Sequence, residues 1–288
     1  MGRIRPLKTL RHFLDAIKFE HTVFALPFAY IAMVLAAGGW PGLHVVVWVT
    51  LAMVGGRTLA MSVNRLADRV IDARNPRTAG RHLPAGLLHP GQVAAAATAA
   101  AALLFFSAWQ LNPLCLALAP LAAAFLIGYS YTKRFTWWSH WILGFTDGIA
   151  AAGGWIAVTA AFDRPVFVLW FALTVWIGGF DLIYACQDVE FDRSSGLHSV
   201  PARFGIPTAL RVARLCHALT VGAFALLGVM TGLGWPYWVG LLVVTALLLY
   251  EHSLVSPTDL SRLDIAFFNV NGYIAVILFA AVLAGRWA

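Results

Sequence analysis

HVVVWVTLAMVGGRTLAMSVNRLADRVID, residues 44–72, opens as an apolar run and ends in Asn64-Arg-Leu-Ala-Asp68-Arg-Val-Ile-Asp72. A helix that crosses a bilayer needs about 20 mostly apolar residues, and residues 44–70 read as one. Outward from it the same pattern recurs at 21–38, 91–109, 113–130, 138–161, 165–188, 208–231, 235–251 and 265–284. That makes about nine spans of spanning length. Composition agrees: 60% of the residues are hydrophobic and 11% are charged, against about 25% charged in soluble domains. Too little polar surface exists to coat a water-soluble globule. The expectation is an all-α polytopic membrane bundle, one domain over residues 1–288.

The N-terminus places basic residues ahead of an apolar run, as a signal peptide does. The run 21–38 is long enough to span and others follow, so it reads as a retained first helix. Cys115, Cys186 and Cys216 sit in apolar stretches without metal-ligand spacing and read as small core residues.

Charge placement sets the topology. Arg3, Arg5, Lys8, Arg11 and Lys18 precede the first span, and Arg65, Arg69, Arg74, Arg77 and Arg81 close the second. Lys133 and Arg134 follow the fourth, Arg193, Arg203, Arg211 and Arg214 the sixth, and Arg262 the eighth. The other side holds only Arg164 and Arg286, with Arg57 inside a span. By the positive-inside rule the N-terminus and the basic loops are cytoplasmic, and the cell (inner) membrane is the expected location. The net charge of +7 thus orients the chain and meets anionic lipid; it does not point to nucleic acid.

The end of the second span has a counterpart. The sixth ends in Tyr184-Ala-Cys-Gln-Asp188-Val-Glu-Phe-Asp192. Both stretches have the form polar-x-x-x-Asp-x-x-x-Asp, and a basic, proline-containing loop follows each. The simplest architecture is two four-helix halves plus a ninth helix around a central cavity, with the two motifs facing each other. Residues four apart stack on one helix face, so Asn64, Asp68 and Asp72 form a column and Tyr184, Asp188 and Asp192 a second. Such acids repel one another unless a hard cation neutralises them. Mg2+ takes oxygen ligands and shares them with substrate phosphates, so two acid clusters imply Mg2+ ions bridging a diphosphate. Arg77, Arg81, Lys133 and Arg134 lie in the adjoining loops and suit phosphate oxygens.

These motifs, with Arg77-Thr…Arg81-His-Leu-Pro84 and Tyr131-Thr-Lys-Arg134, resemble the UbiA superfamily of intramembrane aromatic prenyltransferases over essentially the whole chain. The resemblance implies a nine-helix fold, Mg2+ dependence and a polyprenyl diphosphate donor. It carries metal binding to Asn64, Asp68, Asp72, Asp188 and Asp192, with the four aspartates catalytic, and diphosphate binding to Arg77, Arg81 and Lys133. The stretch Ile17-Lys-Phe-Glu20-His21-Thr-Val-Phe-Ala-Leu-Pro27-Phe-Ala-Tyr30 is similar to the 4-hydroxybenzoate polyprenyltransferase-like branch, which includes proteins assigned to menaquinone synthesis. The implied acceptor is an aromatic carboxylic acid, 4-hydroxybenzoate or 1,4-dihydroxy-6-naphthoate.

Such an acceptor needs a cation. Arg57 lies two turns before Asn64 inside the span, where a charge is costly and faces an interior. Asp181 shares the face of Tyr184 and Asp188 and is a candidate to accept the ring proton or to pair with Arg57. Tyr184 and His21 complete the acceptor candidates. Phe125, Tyr129, Trp137, Trp138, Trp141 and Phe180 could stabilise an allylic cation through their ring faces. A secondary transporter would also show repeats and intramembrane polar residues, but its site lies near the midplane, whereas these acids gather at one membrane face.

Overall fold

Prolines, asparagines and glycines punctuate the apolar runs, and the helix ends follow them. The computed structural model describes residues 4–18 and 22–288. In chain order the helices are α1 (Ile4–Ala16), α2 (Thr22–Ala37), α3 (Leu43–Arg74), α4 (Pro90–Leu111), α5 (Pro113–Thr132), α6 (Ser139–Thr159) and α7 (Arg164–Ala185). They continue with α8 (Val189–Ser195), α9 (Val200–Phe204), α10 (Ile206–Thr231), α11 (Trp235–Ser253) and α12 (Asn271–Arg286). Among the described residues the only strand-like pairing is a bridge between Ser256 and Asp259. The all-α class therefore stands, and each expected span has a helical counterpart. By length and apolarity α3, α4, α5, α6, the run Arg164–Ser195 and α10 can cross a membrane, and α2 and α12 contribute shorter apolar helices. Leu121, Leu242 and Leu249 are 56%, 71% and 69% exposed, a surface that suits lipid rather than water.

The chain forms two compact units: Met1–Val23 with Val47–Tyr131, and Phe24–Val46 with Thr132–Ala288. In the first, α3 has 32 residues and is therefore about 48 Å long. The hydrocarbon layer is about 30 Å thick, so the polar C-terminal turns of α3 cannot all lie in it. Gly55 brings α3 against α4: a Cβ there would stand 2.8 Å from the Ala100 carbonyl oxygen. Leu59, Ala97, Ala100 and Ala123 form the small core between α3, α4 and α5. Pro90 and Pro113 open α4 and α5 at positions whose N–H would have no helical partner. His89 caps α4, accepting from Gly91 N at 3.1 Å while Gln92 bonds back to His89 N at 3.0 Å. The basic segment before the first expected span is itself a helix, α1. Its Phe13 and Ala16 pack with Leu66, Leu83, Leu88 and Val93, and Arg65 Nε donates to the Ala16 carbonyl at 2.8 Å.

In the second unit α7 is central, packed against both α6 and α10. Its core joins Phe28 and Ile31 of α2, Trp155 of α6, Leu169, Leu173 and Trp176 of α7, Phe224 of α10, Tyr237 of α11 and Leu278 of α12. Gly154 is the close-approach position on α6, where a Cβ would lie 2.5 Å from the Ala29 carbonyl oxygen of α2. Tyr237 Oη donates to the Phe224 carbonyl at 2.6 Å, so the buried hydroxyl is satisfied. A π-helical turn, Ile265–Val270, leads into α12. It separates exposed Asn269 from buried Asn271. Asn271 Nδ2 donates to Glu251 Oε1 of α11 at 3.2 Å, a side-chain tie between neighbouring helices.

Candidate functional site: two acid motifs and their partners

The first motif is built entirely within the first unit. Asn75 precedes Pro76, and a residue before proline avoids the α conformation, so α3 stops at Arg74. Up to that point the expected column holds. Asn64 Nδ2 donates to Asp68 Oδ2 at 3.3 Å, one turn on. Asp68 and Asp72 are 1% and 4% exposed. The following loop then folds back. Thr78 N and Ala79 N donate to the Asn75 carbonyl at 3.0 and 2.8 Å. Arg77 N donates to Asn75 Oδ1 at 3.0 Å, and Thr78 Oγ1 donates to the Asp72 carbonyl at 3.1 Å. This path delivers Arg81 to the motif, where its Nη1 lies 2.8 Å from both Asp72 oxygens. The expected diphosphate ligand and the expected metal ligand are thus a salt bridge with each other. Arg77 is exposed. Burial, and then the neighbouring charge of His12, holds the imidazole of the next loop residue, His82, below its ordinary value.

Arg57 sits higher on α3, half-buried. Its Nε is buried and has no hydrogen-bond partner among the described residues, which leaves the donor available to an anion. His21, the other N-terminal candidate, lies outside the described residues.

The second motif departs from expectation. Tyr184, Asp188 and Asp192 were expected as one helical column, but α7 ends at Ala185. Cys186–Asp188 form a 3-10 turn and α8 starts at Val189. The cause is visible in the capping: Cys186 N donates to the Ile183 carbonyl at i−3 spacing, and Gln187 Nε2 caps the Tyr184 carbonyl at 3.0 Å. A 3-10 turn has about three residues per turn, so the stacking of every fourth residue is lost. Asp188 becomes the N-cap residue of α8. Asp192 Oδ2 accepts from Ser199 Oγ at 2.8 Å, and Ser199 Oγ also accepts from Ala202 N at 3.3 Å, capping α9. The Lys133 carbonyl accepts from His198 N at 2.7 Å, which ties the segment after α5 to the one before α9. Arg134 is exposed.

Asp181 has a partner that spacing did not reveal. Its Oδ2 lies 2.7 Å from His140 Nδ1, and His140 is 2% exposed. The other ring nitrogen, Nε2, accepts from Val200 N at 3.2 Å. A nitrogen that accepts carries no proton, so in the neutral ring Nδ1 is the donor to Asp181. This satisfies Asp181 inside the second unit and does not use Arg57. Among the aromatic candidates, Trp137 and Trp138 stack at 4.8 Å, and Phe180 packs edge-on against Trp176 at 5.3 Å.

His140, Ser199, Asn75 and Thr78 were not singled out from the sequence. Asn75-Pro76 is a legible turn signal, and Ser199 before Val200-Pro201 is a legible helix cap. Nothing near His140 in sequence announces Asp181. The first motif offers two buried carboxylates beside an amide, and the second offers further carboxylates. An all-oxygen donor set of this kind fits a hard divalent cation.

A multi-pass helical membrane protein carrying two acid motifs, one met by an arginine and the other next to a lysine segment, is the class defined by fold and side chains. Residues 25–283 match the model of the UbiA prenyltransferase family, and the chain belongs to that family. It is therefore a membrane-embedded prenyltransferase. It is 29% identical over 252 residues to a 4-hydroxybenzoate octaprenyltransferase of Aromatoleum aromaticum, covering 88% of this chain and 85% of that one. It is 33% identical to a UbiA homolog from Aeropyrum pernix K1 solved without ligand, covering 92% of this chain and 97% of that one with a TM-score of 0.84. A UbiA homolog from Archaeoglobus fulgidus, solved bound to DMAPP and Mg2+, shares the fold at 19% identity, covering 94% and 98% with a TM-score of 0.66.

Proposed function

We propose that the whole chain acts as one catalytic domain that moves a polyprenyl group from polyprenyl diphosphate to the ring of an aromatic carboxylic acid. The acceptor is 4-hydroxybenzoate or 1,4-dihydroxy-6-naphthoate, which places the product in ubiquinone or menaquinone synthesis. The observation that carries this reading is the similarity to a 4-hydroxybenzoate octaprenyltransferase along nearly the full length of both chains. The buried Asp68 and Asp72 at the end of an apolar helix support it. The cofactor is Mg2+, as in the A. fulgidus homolog.

Asn64, Asp68 and Asp72 in the first motif, and Asp188 and Asp192 in the second, would hold Mg2+ ions, and both motifs serve the same turnover. When bound, Mg2+ withdraws electron density from the diphosphate oxygens and makes it a better leaving group. Arg81 is prepared for a partner exchange. Were Asp72 to ligate the metal, the Arg81 guanidinium would be released to the diphosphate, and Arg81, Arg77, Lys133 and Arg134 would hold the charge that develops as the allylic C–O bond breaks. The apolar helices keep water from the allylic cation. Arg57 holds the acceptor carboxylate, and Tyr184 and His21 are the further residues assigned to acceptor binding. The ring carbon forms the new C–C bond and loses its proton. Asp181, oriented by the His140 Nδ1–H donor, is the proposed receiver of that proton. The protein lies in the cell (inner) membrane with its N-terminus and basic loops cytoplasmic, as the distribution of Lys and Arg supports.

The test is a proteoliposome assay with labelled long-chain prenyl diphosphate, with and without Mg2+, offering both acceptors side by side. A Mg2+-dependent prenylated product from one of them is expected and assigns the pathway. No product from either, with donor still bound, would overturn the aromatic acceptor and leave the diphosphate reading standing.

A further inference from the structure

His12, Asp15 and His82 form a side-chain cluster that the prenyl-transfer reading does not use. Their ligating atoms all lie within 4.8 Å of one another. His12 and Asp15 are three apart on α1 and so share a face. His82 comes from the loop that follows α3, ten residues after Asp72 in its own chain segment. The two imidazole centroids are 5.4 Å apart, tilted at 52°.

Both sides of the cluster are held in place. Each histidine is followed by a residue of one small apolar core, Phe13 after His12 and Leu83 after His82. Arg65 Nε ties the end of α1 through the Ala16 carbonyl. The His82 carbonyl accepts from both Leu87 N and Leu88 N, at 2.9 and 3.2 Å, which fixes the loop on the other side. The ligand atoms are half-buried on the two histidines and exposed on Asp15, so an ion has access. Zinc sits about 2.0–2.1 Å from imidazole nitrogen and carboxylate oxygen. Binding would draw the three donors in to that distance, with exposed Asp15, whose Oδ2 lies 4.0 Å from Arg11 Nε, as the side chain that turns.

The donor chemistry distinguishes this cluster from the acid motifs. Two imidazole nitrogens and one carboxylate suit Zn2+, Ni2+, Co2+ or Cu2+, whereas Mg2+ prefers oxygen alone. We propose that His12, Asp15 and His82 form a transition-metal site of the zinc class that clips α1 to the loop bearing Arg77 and Arg81. Three protein ligands leave one position for water. His82 directly follows Arg81, the arginine that bridges Asp72, so the bound ion limits how far that loop can move.

The experiment uses the tag-free full-length protein in nanodiscs, stripped with chelator and kept in excess Mg2+ to occupy the acid motifs. Calorimetric titration with Zn2+ should show one tight equivalent. That equivalent should persist in Asp68→Asn and weaken by more than about tenfold in His12→Ala and in His82→Ala, since loss even of an outer-shell partner costs about 10–100-fold. Cu2+ bound at the same stoichiometry should show imidazole-nitrogen couplings in its electron paramagnetic resonance spectrum, and these should diminish in either variant. Zn2+ affinity unchanged in His12→Ala, or a copper spectrum without nitrogen coupling, overturns the proposal. His12 lies on α1, away from both acid motifs in sequence, so that variant decides the matter alone if His82→Ala does not yield monodisperse protein. Loss of the Zn2+ equivalent in Asp68→Asn, with both histidine variants unaffected, assigns the metal to the acid motif and likewise overturns it.

Discussion

Asp72 and Arg81 show what a residue-level reading captures. The column at Asn64, Asp68 and Asp72 made Asp72 an expected metal ligand, and the basic loop behind it made Arg81 an expected phosphate ligand. That they bond to each other was not, because it depends on the turn set by Asn75 and Thr78. The consequence is testable. Arg81→Ala leaves nearly buried Asp72 without its salt-bridge partner, and it should both destabilise the protein and lower turnover. Added Mg2+ should recover part of the thermal stability of that variant but not its rate; full recovery of rate would remove Arg81 from diphosphate binding. Asp68→Asn and Asp188→Asn should each cost about a hundredfold or more in turnover, the scale of losing a principal electrostatic stabiliser. Retention of activity in both variants would end the reading in which two motifs serve one reaction. Arg57→Ala should raise the acceptor KM far more than the donor KM, and an unaltered acceptor KM would exclude it as the carboxylate anchor.

At the scale of elements, α3 and α7 behave differently although their motifs look alike. α3 runs through its motif and ends only where Asn75-Pro76 forces a stop. α7 gives way to a 3-10 turn at Cys186–Asp188, and its acids are then placed by α8 and by the Ser199 cap of α9. Ser199 therefore has two duties, to Asp192 and to the α9 backbone. Ser199→Ala should lower stability by about 1 kcal/mol, the usual cost of a lost N-cap, and should lower turnover through Asp192 as well. A stability loss with unchanged rate would show that Asp192 does not need the hydroxyl. Close approach is a second element-level device. Gly55 and Gly154 each face a neighbouring backbone carbonyl. Val at either position should destabilise its unit by about 1–3 kcal/mol through overpacking, measurable as reduced thermal stability in detergent. Gly153 has nothing within 4 Å of an added Cβ, so Gly153→Ala serves as the control. In each of these two glycine-bearing contacts the sequence showed a small residue, and only the packing showed which neighbour it admits.

For the molecule as a whole, the membrane reading makes a topological prediction. Cysteines introduced at Gly80, after α3, and at Gly39, after α2, should label oppositely in intact spheroplasts, with Gly39 accessible from outside and Gly80 protected. The reverse pattern would invert the assigned orientation. Hydropathy, charge asymmetry and the doubled acid motif can be read along the chain without knowing how its helices pack, so the sequence by itself determined the all-α membrane class and the helix positions to within a few residues, and it named the candidate site residues. Pairing is different, because it depends on how helices are rotated and where loops return. Tertiary structure alone brought His140 to Asp181 across 41 positions, Arg65 to the Ala16 carbonyl across 49, and His82 beside His12. The break in the second acid column belongs to neither, since a 3-10 turn is chosen by local capping at Cys186 and Gln187, which the four-residue spacing of the acids does not display.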